Sequence, residues 1–178
     1  KFVEGVYFYF VTFTLTDWLP IFISPEPIEI VVDNLKFCIT EKSLQVHAYV
    51  VMPNHMHLIV SDETFDNERL QKTLTGFRKF TGHKLAGYID RALLISLSTV
   101  TRNSASDDRS RQVWKPGWHA EAIASEQFLV QKANYIHENP VRKGLVRSAE
   151  DWVHSSACYW TNGESAEIPI APIVISHM

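Results

Sequence analysis

Apolar and polar residues alternate in blocks whose periods change along the chain. Residues 6 to 16, VYFYFVTFTLT, are aromatic and β-branched with almost no polar interruption. That composition predicts a strand buried on both faces. SPEP follows at 24–27. Ser24 can cap a helix, Pro25 suits its first position, and Glu26 suits the positive end of its dipole. Ile28, Val31, Leu35 and Ile39 then mark one face of a helix reaching about residue 40. SLQVHAYVVM and HMHLIV read as two strands broken at Pro53-Asn54, close enough to pair antiparallel. From about 65 to 88, Leu70, Leu74, Phe77, Thr81, Leu85 and Tyr88 recur every three or four residues, predicting a second amphipathic helix. Residues 98–112, STVTRNSASDDRSRQ, are polar and turn-rich, and are expected to form a mobile loop. A fourth strand is expected near 118–123. Ser125 caps a third helix running to about 139, where Pro140 ends it.

The order strand, helix, strand, strand, helix, strand is the ferredoxin-like βαββαβ pattern of an α+β fold. It predicts an antiparallel sheet with helices on one face, followed by a further helix and a tail at 148–178. With 178 residues and no repeat or linker, one domain over 1–178 is expected. The chain begins at Lys1 and not at Met, which leaves room for native residues upstream.

The strand at 55–60 contains an anomaly. His55 and His57 flank Met56, and strand side chains alternate faces. Both imidazoles therefore project from one side, while Met56 and Leu58 enter a core on the other. Two neighbouring neutral imidazoles suit a divalent metal. In a chain with eight histidines the pair alone is weak evidence and needs a third ligand.

Charge sharpens the picture. The net charge is −3, but residues 69–147 hold 14 Lys and Arg against 6 Asp and Glu, and the remainder holds 3 against 14. A basic middle of this kind is either a solvated helix face or a surface that tracks phosphates. Two cysteines, Cys38 and Cys158, are too few for a disulfide framework and read as thiols in a reducing compartment. The apolar run near the N-terminus is about half a bilayer span. A cytoplasmic protein without membrane contact is expected.

The last predicted helix carries NYIHENPVRKGLV, residues 134–146, with Tyr135 and Asn139 four apart on one face. By spacing alone, Tyr135 is more readily read as a packed core residue. Taken together, YVVMPNHMHLIV, then YIHENPVRKGLV, then DWVHSSACYW resemble the REP-associated tyrosine transposases, a branch of the single-tyrosine HUH transposases. The resemblance runs in order from about residue 6 to 160, with WKPGWHAEAI and the Trp152, Ser155 and Ser156 cluster as further landmarks.

The resemblance implies Tyr135 as a nucleophile, and His55, His57 and Asn139 as ligands of a divalent ion, Mg²⁺ or Mn²⁺. It implies an enzyme that nicks and rejoins single-stranded DNA, often beside a hairpin, through a covalent 5′-phosphotyrosine. Such an enzyme would be a transposase or a domesticated relative, nucleoid-associated when acting. Arg69, Lys72, Arg78, Lys79 and Lys84 on the basic helix, with Arg142, Lys143 and Arg147, are candidate backbone contacts. Trp114, Trp118 and other exposed aromatics could stack on unpaired bases, although buried tryptophans are the usual case. Relatives include monomers and dimers that exchange the tyrosine helix, so either a monomer or a homodimer is compatible. Two alternatives remain: a catalytically inactive hairpin-DNA-binding protein of the same fold, and a histidine-liganded metallohydrolase without a DNA role.

Overall fold

In the computed structural model, residues 2–92, 94–104 and 111–173 are described. Four strands form one antiparallel sheet: β1 (Phe8–Thr14), β2 (Leu44–Met52), β3 (His55–Asp62) and β4 (His119–Ile123), in the order β2-β3-β1-β4. This is the ferredoxin-like order expected from the element pattern. Two helices, α1 (Pro25–Glu41) and α2 (Asn67–Arg91), supply the two αβ crossings.

Alternation along β1 builds two cores at once. Tyr9, Val11 and Phe13 enter the cluster shared with α1 and α2, where Val31, Leu35, Leu74 and Phe77 are also buried. Phe8 and Phe10 enter a smaller cluster on the opposite face, with Leu129, Ala133 and Ile136 of α4 (Glu126–His137). The sheet is thus covered on both sides. α1 and α2 share one face, and the tyrosine-bearing α4 lies on the other.

β2 keeps both faces apolar despite an irregularity in its pairing between Val46 and Ala48. Before it, Leu44 and Val46 face α1 and α2; after it, Tyr49 and Val51 do. The extra residue is what permits the change of parity. The far edge of β2 is covered by the C-terminal segment, through Val51 N–H to His154 O at 2.9 Å, Ser156 N–H to Tyr49 O at 3.0 Å, and Ala171 N–H to Val46 O at 2.8 Å. Trp152 Nε1–H adds a bond to Val51 O at 2.9 Å. Covering an edge in this way removes a template for unwanted pairing.

Three local expectations change. Ser24 does occupy the N-cap of α1, but its hydroxyl bonds the Tyr88 hydroxyl at 2.9 Å instead of capping, tying α1 to α2. The loop expected over 98–112 begins as a helix, α3 (Ile95–Asn103). Its polar residues are satisfied locally: buried Thr101 donates to Leu97 O, and Arg111 reaches Ser98 O and the Thr101 hydroxyl. Residues 105–110 of that expected loop lie outside the described residues. Finally, α4 stops at His137, yet Pro140 does not end helical structure. It sits at the start of a short helix, α5 (Asn139–Arg142), where its missing N–H costs no bond. Among the described residues no helix is long and apolar enough to cross a membrane, and Cys38 and Cys158 are unbridged.

The turn into α2 depends on Asp62, which is 2% exposed. Its carboxylate accepts from Arg69 Nε and Nη2 at 2.7 and 2.6 Å, and from the Thr64 and Asp66 backbone N–H groups. Asp62→Ala should therefore lower stability by about 1–3 kcal/mol, read as a lower urea midpoint at unchanged slope.

Candidate functional site

The β2–β3 turn at Pro53-Asn54 delivers His55 and His57 onto the α4 face of the sheet. Both are nearly buried, and their ring centroids are 4.7 Å apart. Each ring is tied through Nδ1. Asn54 Oδ1 accepts from His55 Nδ1–H at 2.7 Å, and Thr12 Oγ1 lies 2.8 Å from His57 Nδ1. Thr12 reaches His57 because the two are direct partners in the β1–β3 register. Anchoring one ring nitrogen to an oxygen partner is the usual way to fix an imidazole and direct the other nitrogen outward. Phe10 stacks on His57 at 5.1 Å, with an interplanar angle of 24°.

Tyr135, near the end of α4, packs its ring edge-on against His57, with centroids 5.2 Å apart. It is 39% exposed, so it borders the histidine pair without being sealed into the core. This contact is made within one chain. Arg142 of α5 folds back over it, with the guanidinium carbon 4.4 Å from the Tyr135 ring centroid and Nη2–H donating to Tyr135 O at 2.9 Å. On the same helix, Lys132 lies 4.5 Å from the Phe10 ring centroid and pairs with Glu121 at 2.5 Å.

Asn139 follows α4 directly and is 4% exposed. Its carboxamide makes no hydrogen bond among the described residues. The next residues carry their charge to the site. Burial pushes the His55 imidazole down to about 4, with Lys143 adding to the effect. Burial likewise pushes His57 down to about 3, helped by His55, Lys132 and Arg142. Both rings are therefore neutral at pH 7, as metal ligands must be. Two adjacent neutral imidazoles are a donor pair of the kind a divalent cation accepts, and the Asn139 carboxamide just after α4 is a further neutral donor. Among the described residues no group of three or more His, Cys, Asp or Glu could hold a metal ion.

The basic residues divide between two surfaces. Arg142 stands over Tyr135, and Lys143 acts on His55, both at the site. The five on α2 lie across the sheet from it, because α2 packs on the opposite face. Arg69 is committed to Asp62, and Lys72 pairs with Glu68 at 2.7 Å. Arg78 donates to Lys115 O at 2.6 Å, and Lys84 lies 5.5 Å from the Phe80 ring centroid. Lys79 and Arg147 are exposed.

Several site residues escaped the sequence reading. Thr12 and Phe10 looked like ordinary strand residues, since only register brings them to His57. Lys132 carries no local signal. His119 is the direct partner of Thr12 in the β1–β4 register and stands at the exposed end of β4. The tryptophans chosen for base stacking do other work. Trp114 is 5% exposed and donates Nε1–H to the Thr81 hydroxyl at 3.0 Å, while Trp118 packs on Phe2 and Phe13.

With this geometry in hand, the chain can be set beside known proteins. No family profile matches it, and no curated protein does. Among solved structures, a REP-associated tyrosine transposase bound to a REP hairpin superposes with a TM-score of 0.60 at 17% identity. The match covers 98% of this chain and 90% of that one. The fold is that of a REP-associated tyrosine transposase. A candidate transposase from Deinococcus radiodurans R1 also matches, at a TM-score of 0.45 and 20% identity, over 78% of this chain and 95% of that one.

The buried histidines make stability depend on pH. His47 and His137 are held down to about 4, mainly by burial, as His55 is, with His57 lower still. The unfolded chain takes up protons near pH 6.5, whereas the folded chain does so only near 3–4. Stability should be flat above pH 7 as far as these groups decide it, and should fall as pH drops from 6.5 toward 4. Each ring contributes a slope of up to about 1.4 kcal/mol per pH unit. Urea unfolding at pH 8, 7, 6 and 5 measures this, and a midpoint unchanged down to pH 5 would contradict it.

Proposed function

We propose that this protein is a metal-dependent enzyme that nicks and rejoins single-stranded DNA through Tyr135, acting near DNA hairpins as a transposase or a domesticated relative. The observation that carries the reading is the contact between Tyr135 and His57. A partly exposed phenol rests against a pair of neutral imidazoles, each anchored at Nδ1, within the fold of a REP-associated tyrosine transposase. The hairpin bound by that solved relative supports a hairpin as the DNA partner here.

His55, His57 and Asn139 would hold the divalent ion, Mg²⁺ or Mn²⁺, which when bound would polarise the scissile phosphate. The protein supplies the rest. Thr12 and Asn54 fix the two rings, so their free nitrogens are placed before any ligand arrives. Tyr135 attacks phosphorus, its oxygen–phosphorus bond forming as the bond to the 3′ oxygen breaks. That 3′ oxygen leaves and is protonated to a free hydroxyl, and the 5′ phosphate remains on the tyrosine. The bond is conserved in this exchange, so a 3′ hydroxyl can reverse it without ATP.

A phenol ordinarily ionises near pH 10, so its proton must be withdrawn during attack. Arg142 lies over the Tyr135 ring, its guanidinium carbon 4.4 Å from the ring centroid. Arg142 and Lys143 also offer positive charge to the phosphate backbone next to the site. With the helix bearing Tyr135 packed on its own β3, the contact between Tyr135 and His57 is made within one chain.

Tyr135→Phe tests the reading. A labelled hairpin-bearing oligonucleotide with Mn²⁺ should give a covalent adduct on a denaturing gel with the unaltered protein and none with the variant. DNA affinity should stay within about threefold, because the ring contact with His57 survives. An adduct that persists in the variant, or none with the unaltered protein under any divalent ion, would reject the mechanism.

A further inference from the structure

We infer that Trp18 is a base-stacking platform beside the candidate site, receiving the base immediately 5′ of the cleaved phosphate. The inference rests on the single-stranded DNA reading above and adds a specificity residue to it. It begins from a contrast among the five tryptophans. Trp114, Trp152 and Trp160 each donate the indole N–H, to the Thr81 hydroxyl, Val51 O and His47 O respectively. Trp118 is wedged among aromatic core rings. Trp18 does none of this. It is 54% exposed, and its indole N–H has no partner among the described residues.

Its backbone is held in an unfavourable state. Asp17 and Trp18 have φ of +48° and +57°, two successive left-handed residues with neither a glycine. Such residues persist only where their surroundings over-determine them, and they gather at ligand sites. The surroundings here do so. On one side, Thr16 N–H bonds Val113 O at 2.8 Å and its hydroxyl bonds Gln112 O at 2.7 Å. On the other, Leu19 N–H bonds Thr16 O, and Phe22 N–H bonds Pro53 O at 2.9 Å. Leu15 N–H bonds Asn54 O at 3.0 Å, so the loop is pinned to the same asparagine that orients His55. The strain therefore aims one large, unpaired aromatic ring at a fixed place.

That place adjoins the site. The Trp18 ring meets His55 edge-on at 5.8 Å, His55 meets His57 at 4.7 Å, and His57 meets Tyr135 at 5.2 Å. Contacts run in this order, so Trp18 and Tyr135 border the imidazole pair from opposite partners. In-line displacement puts the leaving oxygen opposite the attacking one. With Tyr135 attacking from the His57 end, the leaving 3′ oxygen and its nucleoside fall toward the His55 end, where Trp18 stands. An exposed indole is a platform for an unpaired base of any identity, since every base has a π-face.

The test couples two changes. Binding of a labelled single-stranded oligonucleotide is measured without metal, for the unaltered protein, Trp18→Ala and Trp18→Phe. Each is tried with intact DNA and with an abasic site at the position 5′ or 3′ of the cleavage point. Trp18→Ala should weaken binding of intact DNA roughly 5- to 100-fold, and Trp18→Phe should weaken it less. The 5′ abasic site should erase the difference between the unaltered protein and Trp18→Ala, whereas the 3′ abasic site should preserve it. Equal affinity of Trp18→Ala and the unaltered protein for intact DNA would overturn the inference, as would coupling confined to the 3′ position. Far-ultraviolet circular dichroism and a urea midpoint show whether the variant folds; if Trp18→Ala does not, the abasic comparison between Trp18→Phe and the unaltered protein decides. Tyr135→Phe run alongside separates the two readings. It should keep the Trp18 coupling intact, whereas failure of any form to bind DNA would sink the functional reading itself.

Discussion

The candidate site depends on the register of β1 against β3. Because Thr12 is the direct partner of His57, the hydroxyl reaches Nδ1 at 2.8 Å and the ring is oriented before any ligand binds. The same register puts Phe10 beside His57 as a stacked wall. Side chains alternate with a period of two, so a slip by one residue would move both histidines into the α1–α2 core and Met56 and Leu58 to the α4 face. The register is fixed from both sides of the sheet, since Tyr9, Val11 and Phe13 are buried on one face and Phe8 and Phe10 on the other. A polar pair held in place by a double-sided apolar strand is cheap to position, because the apolar residues already specify the pairing.

What could be read from the sequence follows from which forces are local. Helical and strand periods are local, and α1, α2, β1, β2, β3, β4 and α4 appear close to where the pattern puts them. The histidine pair and its common face follow from strand alternation alone. Tyr135 and Asn139 followed only from family likeness. Contacts that depend on pairing between distant segments were not readable: Thr12 on His57, and Arg142 on Tyr135. The helix at 95–103 was hidden for another reason. Its polar residues look like loop, yet Thr101 donates back to Leu97 O within the helix and Arg111 bonds the Thr101 hydroxyl from farther along the chain. Pro140 misled in the same way, since a proline ends a helix only where its missing N–H would have been used.

Trp18 shows a different limit. Nothing in TDWLP announces a left-handed backbone, because non-glycine residues enter that region only when tertiary bonds impose it. Here the imposing bonds come from Gln112, Val113, Pro53 and Asn54, far along the chain. The sequence offered Trp114 and Trp118 as stacking candidates, with burial as the usual case for a tryptophan. Trp114 is buried, and Trp118 is partly buried with its ring packed on Phe2 and Phe13.

The division of positive charge between the two faces follows from the same topology. α2 must pack its apolar stripe against the sheet, and that places its arginines and lysines behind the site, where Arg69 and Lys72 are already paired. The cations near the imidazoles come instead from the α4–α5 segment, which has to be there because it carries Tyr135. Lys132, Arg142 and Lys143 thus arrive with the proposed nucleophile on one short stretch of chain. They discourage protonation of the histidines and present positive charge where a phosphate would sit. One segment therefore sets both the electrostatics of the proposed metal ligands and the position of the proposed attacking group. A displacement of α4 and α5 would disable both together, which makes the packing of Leu129, Ala133 and Ile136 on the sheet as consequential for chemistry as the polar residues themselves.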